Sequence, residues 1–300
     1  MLTARELKDR YAAGENIGEL LRKVRGETRN TPEIIELSYD LQTGSYILAM
    51  QDPAMREHKR LYATEIARVI LSLCDPRSVL EAGCGEATTP SGVLAAMGRD
   101  IQAFGFDISW SRVAWAVRWL AAEQVEQATL CTGSLLQIPF ADDSIDVVYT
   151  SHSIEPNGGN EASILLELFR VTRRFLVLLE PGYELSGPEA RQRMDHHGYC
   201  RNLKGVAESL GDSVLAHEPF PHIANPLNPT AIAIIAKSQS AGSRQSSFVL
   251  ACPKTKSPLD DLGGALFSAE ALTVYPGIGG IACLRAENGI LASKYLDMFA

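Results

Sequence analysis

Residues 79–89 (VLEAGCGEATT) constrain the fold more than any other part of the chain. A short apolar run carries Glu81 and then breaks into Gly83, Cys84 and Gly85, after which residues 86–96 can start a helix. An apolar strand that ends in closely spaced glycines lets backbone approach a ligand where a Cβ would collide. The helix that follows turns its free N–H groups toward the same place. Two further segments add to this turn. Residues 101–111 (IQAFGFDISWS) read as a second strand with Asp107 at its carboxyl end, where an acid in a doubly wound sheet reaches the two hydroxyls of a ribose. Residues 133–153 hold a polar turn, an Ile-Pro-Phe bend, an Asp-Asp-Ser turn and a buried strand over 145–150.

In this order the three segments resemble the motifs of the class I S-adenosylmethionine-dependent methyltransferases, and the resemblance runs from Tyr39 to Lys237. In that family the first strand ends acid-x-Gly-x-Gly-x-Gly. Here Glu81, Gly83 and Gly85 match, and Ala87 stands in place of the third glycine. The resemblance implies cofactor contacts from Glu81, Ala82, Gly83, Cys84 and Gly85, with Asp107 on the ribose and Ile108 beside the adenine. The family's adenine-amine contact is usually an Asp in a Gly-Asp-Ala turn; here Gly133 is kept, Ser134 replaces the acid, and Leu135 follows. Tyr39, Asp40 and Tyr46 sit where the family often carries a Tyr-Asp pair and a later Tyr, in helices folded over the cofactor. A dinucleotide-binding turn, Gly-x-Gly-x-x-Gly, would need glycine where Thr88 stands, so nicotinamide or flavin binding is disfavoured on spacing.

Around these motifs helix-period and strand-like segments alternate, which predicts a mainly parallel α/β sheet with helices on both faces, Rossmann-like and seven-stranded in the family's manner. Residues 1–60 predict a helical lid, and 61–237 the methyltransferase domain. Residues 60–73 are a periodic helix stopped by Asp75-Pro76, and residues 188–210 predict one continuous helix. Trp110, Trp115 and Trp119, at near-helical spacing, predict core packing. Residues 238–247 (SQSAGSRQSS) are a polar linker. Residues 248–300 resemble the small zinc-ribbon-like activators of RNA- and protein-modifying methyltransferases. Where metal-binding members open a Cys-x-x-Cys knuckle at Cys252-Pro253, Thr255 occupies the second position, so four zinc ligands cannot be assembled. The expectation is a metal-free, β-rich ribbon held by its apolar core, with exposed Leu266, Phe267 and Tyr275 offering a homodimer contact.

A net charge of −8, with bases and acids interspersed, disfavours nucleic acid as substrate. No apolar run is long enough to span a bilayer, and the N-terminus lacks the apolar centre of a signal peptide. Six scattered cysteines without a Cys-x-x-Cys pair fit free thiols in a reducing, cytoplasmic setting.

Ligands of an open parallel sheet bind beyond the strands' carboxyl ends, which gathers Ser151 and the polar segment 151–159 at the crevice. His152 has the residue type for a base near neutral pH, with packing against the cofactor as its alternative. Glu155 and Asn157 can orient a hydroxyl or amine. Tyr183 and the cluster Arg193, His197 and Tyr199 are candidates to hold an anionic or sugar-like acceptor. A small-molecule or glycan acceptor is expected ahead of RNA or protein. A catalytically silent, methyltransferase-like binding protein is the alternative of a different class.

Overall fold

The computed structural model describes residues 2–98, 100–125, 127–237 and 248–299. The linker expected over 238–247 lies outside the described residues.

Among the described residues five helices precede the first strand, and the first four are α1 (Ala4–Ala12), α2 (Ile17–Arg25), α3 (Pro32–Leu41) and the short α4 (Ser45–Ala49). Thr3, Asn16 and Thr31 cap the first three by accepting from backbone N–H groups, and Pro32 opens α3 where its missing donor costs nothing. Leu7, Ile17, Leu21 and Ile34 give these helices a small core of their own. Helix α5 (Pro53–Leu73) begins earlier than its apolar stripe suggests, because Asp52 caps it and Pro53 supplies its first turn.

The alternation then runs β1 (Ser78–Ala82), α6 (Thr88–Met97), β2 (Gln102–Asp107), α7 (Trp110–Ala122), β3 (Ala128–Thr132) and β4 (Ile145–Ser151). It continues through α8 (Glu161–Val171), β5 (Thr172–Pro181), α9 (Pro188–His197), α10 (Leu203–Ser209), β6 (Ser213–Pro219) and β7 (Thr230–Ala236). The strands lie in the order β6-β7-β5-β4-β1-β2-β3. Pairs among β1 to β5 are parallel, while β7 runs antiparallel to β5 and β6. Strand order reverses between β1 and β4, so the crevice opens at the carboxyl ends of β1, β2 and β4. One face of the sheet packs Tyr62, Ile66 and Ile70 of α5 and Val93 of α6 against Val79, Val147 and Val177. The other packs Ile164, Leu165 and Leu168 of α8 against Leu80, Val148 and Leu176.

The sheet does not stop at β3. Strands β8 (Asp260–Asp261), β9 (Ala265–Ser268), β10 (Thr273–Ile278) and β11 (Ile281–Cys283) extend it, with β12 (Ile290–Leu291) paired to β10 and α11 (Tyr295–Phe299) after it. The junction is parallel: Ala282 faces Cys131 and Cys283 faces Thr132. Cys252, Tyr275 and Leu284 belong to the same core cluster as Leu80 and Phe106. Where the activators' knuckle would lie, Cys252 is fully buried among hydroxyls. Its sulfur is 3.5 Å from the Tyr275 hydroxyl, and Thr255, Ser257 and Ser268 form a hydrogen-bonded chain beside it. Burial raises such a thiol, but these hydroxyls outweigh it and bring Cys252 down to about 7.

Three expectations need correction. The segment 188–210 is two helices, because Gly198 turns left-handed after α9 and Asn202 does so again before α10. Trp110 and Trp115 lie at the surface, and only Trp119 is buried. The Trp110 indole instead donates to the Ile278 carbonyl at 3.2 Å, tying α7 to the C-terminal strands. Phe267 and Tyr275, expected at the surface, are buried, which removes both from any dimer contact.

Candidate active site

The turn after β1 is built by backbone. Gly83 and Cys84 both donate to the Phe106 carbonyl of β2, at 2.9 and 2.8 Å. Gly83 has φ +81°, and a Cβ there would lie 2.3 Å from the Ser153 Cβ. Its glycine requirement therefore comes from the loop after β4 as much as from any ligand. Gly85 N–H donates to Asp107 Oδ2 and Ser109 N–H to Oδ1, each at 2.9 Å. Asp107 is thus fixed by two donors and keeps acceptor capacity on both oxygens. Ala87 takes the left-handed conformation (φ 57°) that the family's third glycine would adopt freely.

Two buried acids support this end of the sheet. Glu81 is pushed up to about 8 by burial, against the pull of the Tyr149 hydroxyl and Lys59, and its Oε2 has no partner. Glu180, at the end of β5, accepts from the N–H groups of Ser153, Ile154 and Glu155 at 3.0–3.1 Å. Burial raises it to about 7. Glu180 is therefore the anchor of the loop after β4.

On that loop His152 bonds through both ring nitrogens, Nδ1 to Glu155 at 2.5 Å and Nε2 to the Thr230 hydroxyl at 2.7 Å. Burial pulls the imidazole down, but the Glu155 bond and charge outweigh it and leave His152 raised. Burial likewise lifts Glu155, yet His152 and the Asn228 amide bring its carboxyl below the usual range. The two form a half-buried hydrogen-bonded pair with no ring nitrogen to spare.

The lid is latched over the opening. Glu86, next to the glycine turn, accepts from the Gly44 and Ile47 N–H groups, each at 2.9 Å. The Ser109 hydroxyl donates to Asp40 at 2.6 Å, and the Asn30 amide to the Pro156 carbonyl at 2.9 Å. Beneath lies a cavity of about 280 Å³.

Of the residues expected from sequence, Glu81, Gly83, Cys84, Gly85, Asp107 and Ile108 line this cavity. So do Tyr46, Ser134, Leu135, Ser151, His152, Glu155 and Asn157. Ala82 is buried behind it. The four acceptor candidates do not line it. Tyr183 bonds Asp195 between Arg191 and Arg201. Tyr199 stacks on His197 and under Arg193, and meets the site's Glu155. Lys59, Glu86, Arg112 and Asn228 line the cavity without having been singled out. Glu86 was legible as the acid directly after the glycines, whereas nothing local marks Asn228.

The sheet is Rossmann-like, and its β1 turn holds the β2 acid under a helical lid. Residues 79–174 match the model of a family described as a methyltransferase domain. The chain thus carries a methyltransferase domain that uses S-adenosylmethionine. In fold it is similar to magnesium protoporphyrin IX methyltransferase from Synechocystis PCC 6803, solved with bound S-adenosylhomocysteine. The TM-score is 0.54 and the identity 14%, covering 69% of this chain and all (100%) of that one. It is also similar to a chain from the Haloferax volcanii Trm112 methyltransferase activator in complex with a protein described as a methyltransferase. There the TM-score is 0.50 and the identity 13%, covering 65% of this chain and 96% of that one. Among the described residues no helix is long and apolar enough to cross a membrane.

Proposed function

We propose that the protein methylates an oxygen or nitrogen of a small-molecule or glycan acceptor held beneath α3 and α4. The observation that carries this reading is the latched cavity itself, roofed by the lid and floored by Asp107 in the grip of Gly85 and Ser109. The residues present fit the cofactor. Asp107 has lone pairs left for ribose hydroxyls, and the unpartnered Glu81 Oε2 suits an ammonium. Lys59, 3.4 Å from the Thr89 hydroxyl in the first turn of α6, suits a carboxylate with that helix end. Ser134 and Leu135 are the side chains we assign to the adenine. Bound S-adenosylmethionine supplies a methyl group already activated by its positive sulfur.

The chain's own task is then alignment and exclusion of water. With both His152 nitrogens engaged, one of them by Glu155, we assign the pair to shaping the cavity wall and not to removing a proton. Acceptors that lose their proton unaided suit such a site.

The test is calorimetry with S-adenosylhomocysteine, followed by labelled S-adenosylmethionine offered to separate small-molecule, RNA and protein pools. Asp107→Ala should weaken S-adenosylhomocysteine about 100-fold, since it removes charge-assisted bonds. Equal affinity in parent and variant sinks the assignment of Asp107, and no binding by the parent sinks the whole reading. Label in RNA or protein favours a second reading, which draws on the C-terminal strands. They resemble methyltransferase activators and add to the free edge of β3, so the chain would carry in cis what such proteins supply as a subunit. Cofactor binding with no pool labelled favours a silent binding protein.

A further inference from the structure

Arg112 is a buried charge in this cavity to which the reading above gives no task. It sits in the first turn of α7, and its side chain is only 8% exposed. Among the described residues its guanidinium makes no hydrogen bond, and its Nε is buried without a partner. The nearest carboxylate, Glu86, is 3.9 Å away, with both oxygens already given to the Gly44 and Ile47 N–H groups. Asp107, which the guanidinium also feels, has its oxygens on Gly85 and Ser109. What holds Arg112 is a pair of aromatic faces, Tyr46 at 4.6 Å and Tyr39 at 5.2 Å.

A planar cation kept between two rings and short of acceptors is preorganised for two parallel bonds to a carboxylate or phosphate. Asp107 and Glu86 balance its charge, but a buried guanidinium without a hydrogen-bonded acceptor is unfavourable, so its retention calls for a ligand that completes it. The cofactor does not need it. S-adenosylmethionine has one carboxylate, and Lys59 with the start of α6 answers that group beside Thr89 and Glu81. Arg112 lies between the cofactor turn and the lid: a Cβ on Gly85 would come 3.3 Å from its guanidinium, and its other side faces the lid tyrosines, where an acceptor entering under α3 and α4 would rest.

Resting on the methyltransferase reading, we infer that Arg112 seats an anionic group, a carboxylate or a phosphate, on the acceptor. The protein thereby selects acidic small molecules. Arg112 makes and breaks no covalent bond; it fixes the acceptor's far end so that the nucleophile meets the cofactor.

The experiment is calorimetry on the full chain saturated with S-adenosylhomocysteine, at constant ionic strength, titrated with sodium phosphate and separately with sodium acetate. Parent, Arg112→Gln and Arg112→Lys are compared. The parent should bind at least one anion saturably, with the stronger of the two naming the group. Arg112→Gln should bind it about tenfold more weakly or worse, and Arg112→Lys in between, since an ammonium cannot form the paired bonds. S-adenosylhomocysteine affinity should change less than about threefold in either variant. The inference is overturned if the parent binds neither anion, or if Arg112→Gln binds as the parent does. It is also overturned if either variant loses S-adenosylhomocysteine about tenfold, which would assign Arg112 to the cofactor. Should Arg112→Gln not fold, Arg112→Lys carries the same comparison. A parent that takes up no S-adenosylhomocysteine fails the methyltransferase reading itself, a result distinct from binding the cofactor product but neither anion.

Discussion

A carboxyl raised to about 8 with one oxygen unpartnered makes Glu81 the residue through which pH reaches this site. Near neutrality the empty pocket keeps Glu81 protonated, whereas an ammonium placed beside it favours the carboxylate. S-adenosylhomocysteine should therefore bind more tightly as pH rises from 6 toward 8, releasing up to about one proton per site. Titrations in buffers of different ionisation enthalpy read that release, and Glu81→Gln should abolish it. The same raised value acts on stability with a definite sign. Between the ordinary carboxyl range and about 8, the folded chain holds a proton that the unfolded chain has lost, so stability declines as pH rises through that window. Glu81→Gln should lessen the decline, leaving the part that Glu180, raised to about 7, contributes with the same sign, and a parent whose melting temperature rises across the window would contradict it. At Gly83 the constraint is steric. Gly83→Ala combines a left-handed residue with a Cβ 2.3 Å from Ser153, for a cost of about 2–5 kcal/mol by chemical denaturation. From sequence the glycine's importance was plain, but its closest neighbour, 70 residues on, was not.

The lid shows how far element-scale reading goes. Thr31-Pro32 announced α3, and the apolar stripe announced α5, because caps and periodicity are local properties of the chain. The break at Gly198 was missed because the helix-like composition on both sides outweighed one glycine in the reading. The exposure of Trp110 and Trp115 was missed for a different reason: helical spacing says which residues share a face, not what that face meets. Nor does local sequence disclose the latch, in which an acid at the end of one turn caps a helix 40 residues earlier. Glu86→Ala should free Gly44 and Ile47, since α4 is too short to persist without that carboxylate. Amide exchange over 44–49 should accelerate while exchange in β1 and β4 stays unchanged, and S-adenosylhomocysteine should dissociate about tenfold faster. Unchanged exchange at Ile47 would mean the lid is held elsewhere.

At the scale of the whole molecule, the C-terminal strands act as part of the methyltransferase sheet and not as an appendage. Three kinds of contact bind them to it: the parallel pairing of β11 with β3, the Trp110 bond to Ile278, and the ion pair of Arg285 with Glu36 on α3. The last joins the segment directly to the lid. The missing second cysteine of the knuckle was legible at Thr255, but the strands' union with the main core was not, because sharing a core is a non-local property. Tyr275 makes the point testable. It is fully buried in that common core and its hydroxyl meets Cys252. If the segment were an independent ribbon, Tyr275→Ala would melt it alone and leave cofactor binding intact. As a member of the shared core, the tyrosine should cost about 3–5 kcal/mol when truncated. The single unfolding transition should then shift down by about 6 °C or more. Two separated transitions in differential scanning calorimetry, with the upper one unshifted and still raised by S-adenosylhomocysteine, would show that the two parts fold apart.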